Sequence, residues 1–323
     1  MRRVVAPLAA VLLALAVAGC GDDGAEPGAP RGATLVLDFT PNAVHSGIYA
    51  ARERGYYRDA GVELDIRQPG ASTDAPLLLE AGRADFAILD IHDLGIARQR
   101  GLDIVAVMPI VQRPLASVIA RADRGIRRPR DLEGRTVGVT GLPSDDAVLE
   151  SEVEADGGDP SQVDRVTIGF NAVASLAAGR IDAATGFWNA EAVALRRQGV
   201  PIRVFRVDRF GAPRYPELVL CANQAAVDGD PDLVRAVLAA TTRGYRLAAA
   251  RPDHALADLL ELSPGLVAAD QRAQTGALAQ ASAFEPVARF RRQALRAWAS
   301  WDLEHGILRK PLDIGSAFQQ PGD

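Results

Sequence analysis

Asp38-Phe39-Thr40-Pro41-Asn42-Ala43-Val44-His45-Ser46-Gly47-Ile48-Tyr49 is the stretch on which the fold turns. Just before and into it, Thr34-Leu35-Val36-Leu37-Asp38 is a short apolar run that reads as a buried strand. A helical pattern follows over about residues 43–54 and stops at Gly55, a residue type favoured just past a helix C-terminus. The stretch therefore marks a strand-to-helix junction. In open α/β sheets ligands bind at such places, outside the carboxyl ends of strands and beside the free N–H groups of helix N-termini. Phe39 offers a flat face there, and Asp38, Asn42 and His45 offer directional polar groups. The plainer reading of the same residues is a Pro41-Asn42 turn followed by a surface histidine.

Working outward, strand-like and helix-like segments alternate. Residues 62–66, 85–89 and 104–110 read as strands, with helices over 76–81 and 93–100. A second series opens near Thr136: strands over 136–140, 164–168, 183–185 and 203–207, and helices over 145–156, 173–178 and 191–198. Leu218-Val219-Leu220 follows, and beyond Pro231 the pattern is nearly all helical to about Glu304. Such alternation predicts parallel α/β sheets. A mature chain of about 300 residues exceeds what one core usually serves, so two lobes are expected. Residues 33–117 and 218–323, the latter carrying a returning helical block, make lobe 1. Residues 118–217 make lobe 2, with crossings near 112–118 and 214–220.

The N-terminus speaks to compartment. Arg2 and Arg3 precede an Ala, Leu and Val run over residues 4–17, which ends in Val17-Ala18-Gly19-Cys20. Roughly 14 residues cannot span a hydrocarbon core of about 30 Å, so residues 1–20 read as a signal peptide. Small residues followed at once by cysteine read as a lipobox with Cys20 as the acylated residue; an incidental cysteine is the alternative. Acylation with two or more chains would hold the protein stably on the outer face of the cell membrane. Residues 21–32, rich in Gly, Pro and charge, suit a flexible tether.

The whole chain has net charge −5, and loss of Arg2 and Arg3 leaves 34 basic against 41 acidic residues, or −7. Its one basic run, Arg127-Arg128-Pro129-Arg130, reads as a solvated turn, so nucleic acid is a poor partner. With Cys20 acylated, Cys221 has no partner and no disulfide framework exists.

The opening stretch, with Gly55-Tyr56-Tyr57 and Gly61-Val62 after it, resembles the start of the NMT1/THI5-like substrate-binding proteins, and among them the thiamine-pyrimidine binders, for hydroxymethylpyrimidine or formylaminopyrimidine. The likeness continues through Gly82-Arg83-Ala84-Asp85-Phe86-Ala87, Gln112-Arg113-Pro114-Leu115-Ala116-Ser117-Val118-Ile119 and Asp131-Leu132-Glu133-Gly134. It resumes at Gly179-Arg180-Ile181-Asp182-Ala183 and Gly186-Phe187-Trp188-Asn189-Ala190-Glu191, covering roughly residues 34–225. The resemblance implies a periplasmic-binding-protein type II fold, two α/β lobes with a ligand cleft between them. It also implies a monomer that closes on a small solute and delivers it to an ABC permease and its ATPase.

A matching face for Phe39 comes from lobe 2. Phe187 and Trp188 follow a short strand, and Asn189 and Glu191 open the next helix. A planar heterocycle held between Phe39 and either aromatic gains about 0.5–1.5 kcal/mol per stack beyond area burial. Glu191 can accept from an exocyclic amine, with Asn42 and Asn189 as donor–acceptor pairs; a ligand lacking the amine leaves the acid unpaired. A core role for Trp188 and a helix-start role for Glu191 are the bland readings. Ser144 and Asp145 either cap a helix or line the cleft. Tyr215 either forms a wall or packs the hinge. Asp90, just after a strand, sits where such proteins place polar ligand contacts, although Asp90-Ile91-His92 departs from the pyrimidine-binder pattern.

Other functions fit less well. The fungal pyrimidine synthases of the same fold consume pyridoxal phosphate, whose Schiff base needs a lysine amine, and this chain has one lysine, Lys310. His45, His92, His254 and His305 show no metal-ligand spacing, so neither metal nor cofactor is expected. Sulfonate or nitrate would want a convergent arginine rather than Asp38, Asp90 and Glu191. Riboflavin remains an alternative that aromatic walls would accept.

Overall fold

The computed structural model describes residues 29–70 and 75–320. The expected signal peptide, the lipid site Cys20 and residues 21–28 of the tether lie outside the described residues. Arg31 and Gly32, expected in the tether, instead begin the first strand: Arg31 N–H donates to Gly61 O at 2.8 Å, and its guanidinium to Asp230 at 2.8 Å.

In chain order the strands are β1 (Arg31–Val36), β2 (Val62–Arg67), β3 (Phe86–Asp90), β4 (Ile104–Val111), β5 (Ala116–Arg121), β6 (Thr136–Val139), β7 (Asp164–Thr167), β8 (Ala183–Phe187), β9 (Ile202–Arg206) and β10 (Leu218–Asn223). They form two five-stranded sheets, β2-β1-β3-β10-β4 and β7-β6-β8-β5-β9, one per lobe. The expected parallel pairs are present: β1 with β2 and β3, and β6 with β7 and β8.

The sheets are mixed rather than parallel. β10 runs antiparallel to β3 and β4, and β5 antiparallel to β8 and β9. These are the two strands that enter a sheet straight from the other lobe. A strand that follows a helical crossover must run parallel, whereas one arriving by a plain connection is free to enter reversed. The crossings are accordingly 112–115 and 207–217; Ala116, Ser117 and Val118 already belong to β5, and Leu218 opens β10.

The C-terminal helices pack on lobe 1 as the hydrophobic spacing demands. Pro231–Ala250 buries Val234, Val237, Leu238, Thr241, Tyr245 and Ala248, a stripe at helical period, against the helix Ser46–Glu53. The approach is close enough that a Cβ at Gly244 would lie 1.9 Å from Gly47 O. Tyr245 Oη donates to Val44 O at 2.8 Å, tying this block to the strand-to-helix junction.

Candidate functional site

The junction after β1 is fixed by its own polar side chains. Asn42, in extended backbone, caps the turn Ala43–His45: its Oδ1 accepts from Val44 N–H at 3.0 Å and its Nδ2 donates to Thr40 O at 3.0 Å. Asn42 N–H in turn donates to His45 Nδ1 at 3.2 Å. Nδ1 being an acceptor, the ring proton sits on Nε2, which donates to Asp38 Oδ1 at 2.8 Å. His45 is fully buried, so its work is to orient Asp38.

Between the lobes lies a cavity of about 440 Å³. Lobe 1 contributes Asp38, Phe39, Asn42, Asp90 and Asp93; lobe 2 contributes Ser144, Asp145, Phe170, Phe187 and Glu191. Leu37, Val44, Ile88, Leu89 and Leu218 form an apolar floor. At the cavity, contacts across the cleft include Ser144 Oγ donating to Asp93 Oδ1 at 3.3 Å and Phe39 meeting Phe170 edge-on, ring centroids 4.8 Å apart.

Seven of the eleven residues expected at the ligand line this cavity: Asp38, Phe39, Asn42, Asp90, Ser144, Phe187 and Glu191. Asn42 does so with both ends of its amide committed to the turn. Four do not line it. His45 lies behind Asp38. Trp188 turns away from Phe187, its Nε1 donating to Pro114 O at 2.9 Å with the Arg206 guanidinium 4.3 Å over its ring, so it fastens the first crossing. Asn189 is fully buried and lacks a hydrogen-bond partner at either side-chain atom. Tyr215 is buried in the hinge with Oη 3.1 Å from His92 Nε2. Of the two rings expected from lobe 2 opposite Phe39, Phe187 and Trp188, it is thus Phe187 that shares its cavity.

Phe170 and Asp93 are lining residues that the sequence did not single out. Phe170, in Ile168-Gly169-Phe170 just past β7, occupies the same kind of strand-end position as Phe39, and that placement was the available signal. Asp93 stands in the first turn of the helix Ile91–Gln99, where an acid is usually explained by the helix dipole.

The cavity is acid-rich. Burial, reinforced by Asp90, pushes the Asp93 carboxyl up to about 8. Burial also raises Glu191, with Asp145 and Asp38 adding to the shift, while Phe187 N–H donates to Glu191 Oε2 at 2.8 Å and opposes it. Gly186 makes room for that fold-back, since a Cβ there would sit 3.3 Å from Glu191 Cγ.

Beneath the floor, Asp90, His92 and Glu217 bring donor atoms within 4.8 Å of one another, and among the described residues this is the group that could converge on a metal ion. Histidine spacing could not reveal it, because Glu217 lies 125 residues after His92. Part of the group already has work: His92 Nδ1 lies 2.8 Å from Asp302 Oδ2, and Glu217 Oε2 accepts from Leu115 N–H and from Ala116 N–H, the latter at 3.2 Å, while Glu217 Oε1 lacks a hydrogen-bond partner. Glu217, on one crossing, thereby clasps the end of the other. Burial raises both Asp90 and Glu217, and the charge of Glu217 adds to the rise at Asp90.

Two mixed α/β sheets, two crossings and a cavity between lobes define a periplasmic-binding-protein type II receptor fold. The alkanesulfonate-binding protein SsuA from Xanthomonas axonopodis pv. citri bound to MOPS superposes with a TM-score of 0.71 at 16% identity, over 90% of this chain and 99% of that one. The NMT1/THI5 like family matches residues 42–255, and the chain belongs to that family. A formylaminopyrimidine-binding protein from Halalkalibacterium halodurans is 37% identical over 227 residues, 70% of this chain and 69% of that protein. The riboflavin-binding protein RibY from Chloroflexus aurantiacus is 27% identical, covering 72% and 66%. A 4-amino-5-hydroxymethyl-2-methylpyrimidine phosphate synthase from Legionella pneumophila is 25% identical, covering 72% and 74%.

Proposed function

We propose that this protein is an extracytoplasmic receptor, held to the membrane through Cys20, that captures a small heteroaromatic amine of the thiamine-pyrimidine type and delivers it to an ABC importer. One observation carries the ligand choice: Phe39 and Phe187, from opposite lobes, line one cavity together with the carboxyl of Glu191, placed to accept from a ring amine. The similarity to a formylaminopyrimidine-binding protein points the same way. Binding in that cavity favours the closed arrangement, because both lobes then touch the ligand.

Synthase chemistry lacks its nucleophiles at this place. Lys310 borders a separate surface groove with Arg100 and His305, and Cys221 is buried in β10. Anion capture is opposed by the five carboxyls of the lining.

A thermal-shift and calorimetry panel of hydroxymethylpyrimidine, formylaminopyrimidine, riboflavin, taurine and nitrate tests the reading. The two pyrimidines are expected to stabilise the protein and the anions to leave it unchanged; stabilisation by taurine or nitrate alone would overturn it. The anchor is checked by cell fractionation: Cys20→Ser is expected to leave the membrane fraction, and its retention there refutes lipid attachment.

A further inference from the structure

The lining holds more acid than reading one amine requires. Asp38, Asp90 and Asp93 of lobe 1 and Asp145 and Glu191 of lobe 2 share one cavity, and Arg100, exposed and also bordering the neighbouring groove, is the cation of the lining. Burial and neighbouring carboxylates raise Asp90, Asp93, Asp145 and Glu191, so protons are retained within that group. Asp93 is where such a proton meets both lobes. It is half-buried, it accepts from Ser144 Oγ across the cleft, Asp90 and His92 lie on its own side, and Asp145 faces it from the helix Pro143–Ala155.

We infer that Asp93 is a specificity-determining residue, selecting with Ser144 for ligands that carry a basic ring nitrogen, to which its carboxyl proton is donated. The inference rests on the reading of the cavity as a site for a heteroaromatic amine, and it adds a second acid acting from the lobe opposite Glu191. The step balances: the nitrogen lone pair takes the proton, an N–H bond forms as the O–H bond breaks or lengthens, and the pair stays neutral overall. A ring without a basic nitrogen leaves the proton without an acceptor inside a low-dielectric site, and an anion adds to the negative field.

A signature follows that mere packing would not produce. Near neutral pH the proton is already in place. Above about pH 8 Asp93 has released it to solvent, and binding must recover it. Affinity for the neutral ligand then falls about tenfold per pH unit.

The experiment is calorimetric titration of the full mature protein with hydroxymethylpyrimidine from pH 7 to 9.5, in buffers of different ionisation enthalpy. Wild type is expected to show a flat dissociation constant up to about pH 8, then the tenfold-per-unit weakening, with uptake approaching one proton. Asp93→Asn keeps the size of the side chain and an oxygen for Ser144. It is expected to bind at least tenfold more weakly at pH 7, with no limb above pH 8. Ser144→Ala removes a donor that favours the ionised carboxylate, so its limb is expected to move to higher pH. Binding by wild type with a flat profile and no proton uptake, or an unchanged limb in Asp93→Asn, overturns this inference while leaving the functional reading intact. Failure of every heterocycle to bind wild type overturns both.

Discussion

Asp93 keeps its proton far above the ordinary carboxylate range, and that has a consequence for folding as well as for recognition. In the unfolded chain this group ionises near 4; in the folded protein burial and Asp90 hold the proton to about 8. Between those values the native state binds more protons than the unfolded one, so the contribution of Asp93 to stability falls as pH rises through that window and levels off above it. The ligand-free Asp93→Asn variant is therefore expected to be more stable than wild type at pH 8. The advantage should shrink toward pH 4, by at most about 1.4 kcal/mol per pH unit. Scanning calorimetry at pH 4.5, 6 and 8 checks this, and an advantage independent of pH would refute it. A residue that costs stability where it serves recognition is what a binding site, rather than a core, selects.

Among the elements, the contact between Ser46–Glu53 and Pro231–Ala250 leaves the least room. Both helices give up a side chain at the crossing: a Cβ on Gly244 meets the Gly47 carbonyl, and one on Gly47 lies 2.6 Å from the Tyr245 ring. The first obstacle is backbone, which cannot rotate away, so Gly244→Ala is expected to destabilise by about 3 kcal/mol or more, at the upper end of overpacking costs. Urea denaturation measures it, and a loss below 1 kcal/mol would show that the helices slide apart freely. Because Tyr245 also holds Val44 O, the variant is expected to loosen the junction that carries Phe39. These helices were legible from apolar periodicity. The direction in which β5 and β10 enter their sheets was not, since strand periodicity is the same whichever way the chain runs.

At the scale of the whole molecule, the two lobes depend on how their crossings are tied. Glu217 accepts from the backbone of Leu115 and Ala116, so one carboxylate couples the end of one crossing to the other. Glu217→Ala strands two buried N–H groups and is expected to cost about 2–6 kcal/mol, each unsatisfied donor contributing roughly 1–3. Glu217→Gln, which keeps an acceptor oxygen, should lose less. Equilibrium unfolding distinguishes them, and equal losses for the two variants would exclude the acceptor role.

The sequence by itself determined the alternation of strands and helices, the two-lobed plan, and the position of Asp38–Tyr49 and Gly186–Glu191 at strand ends, because periodicity and turn chemistry are local properties of the chain. Only the tertiary structure decided that Phe187 faces the cavity while Trp188 faces a crossing, that His45 serves Asp38, and that Asp93 meets Ser144. Those outcomes depend on register and packing between segments distant in the chain, Trp188 and Pro114 being 74 residues apart and Ser144 and Asp93 51, and neighbouring residues at a strand end point in different directions that no local pattern distinguishes.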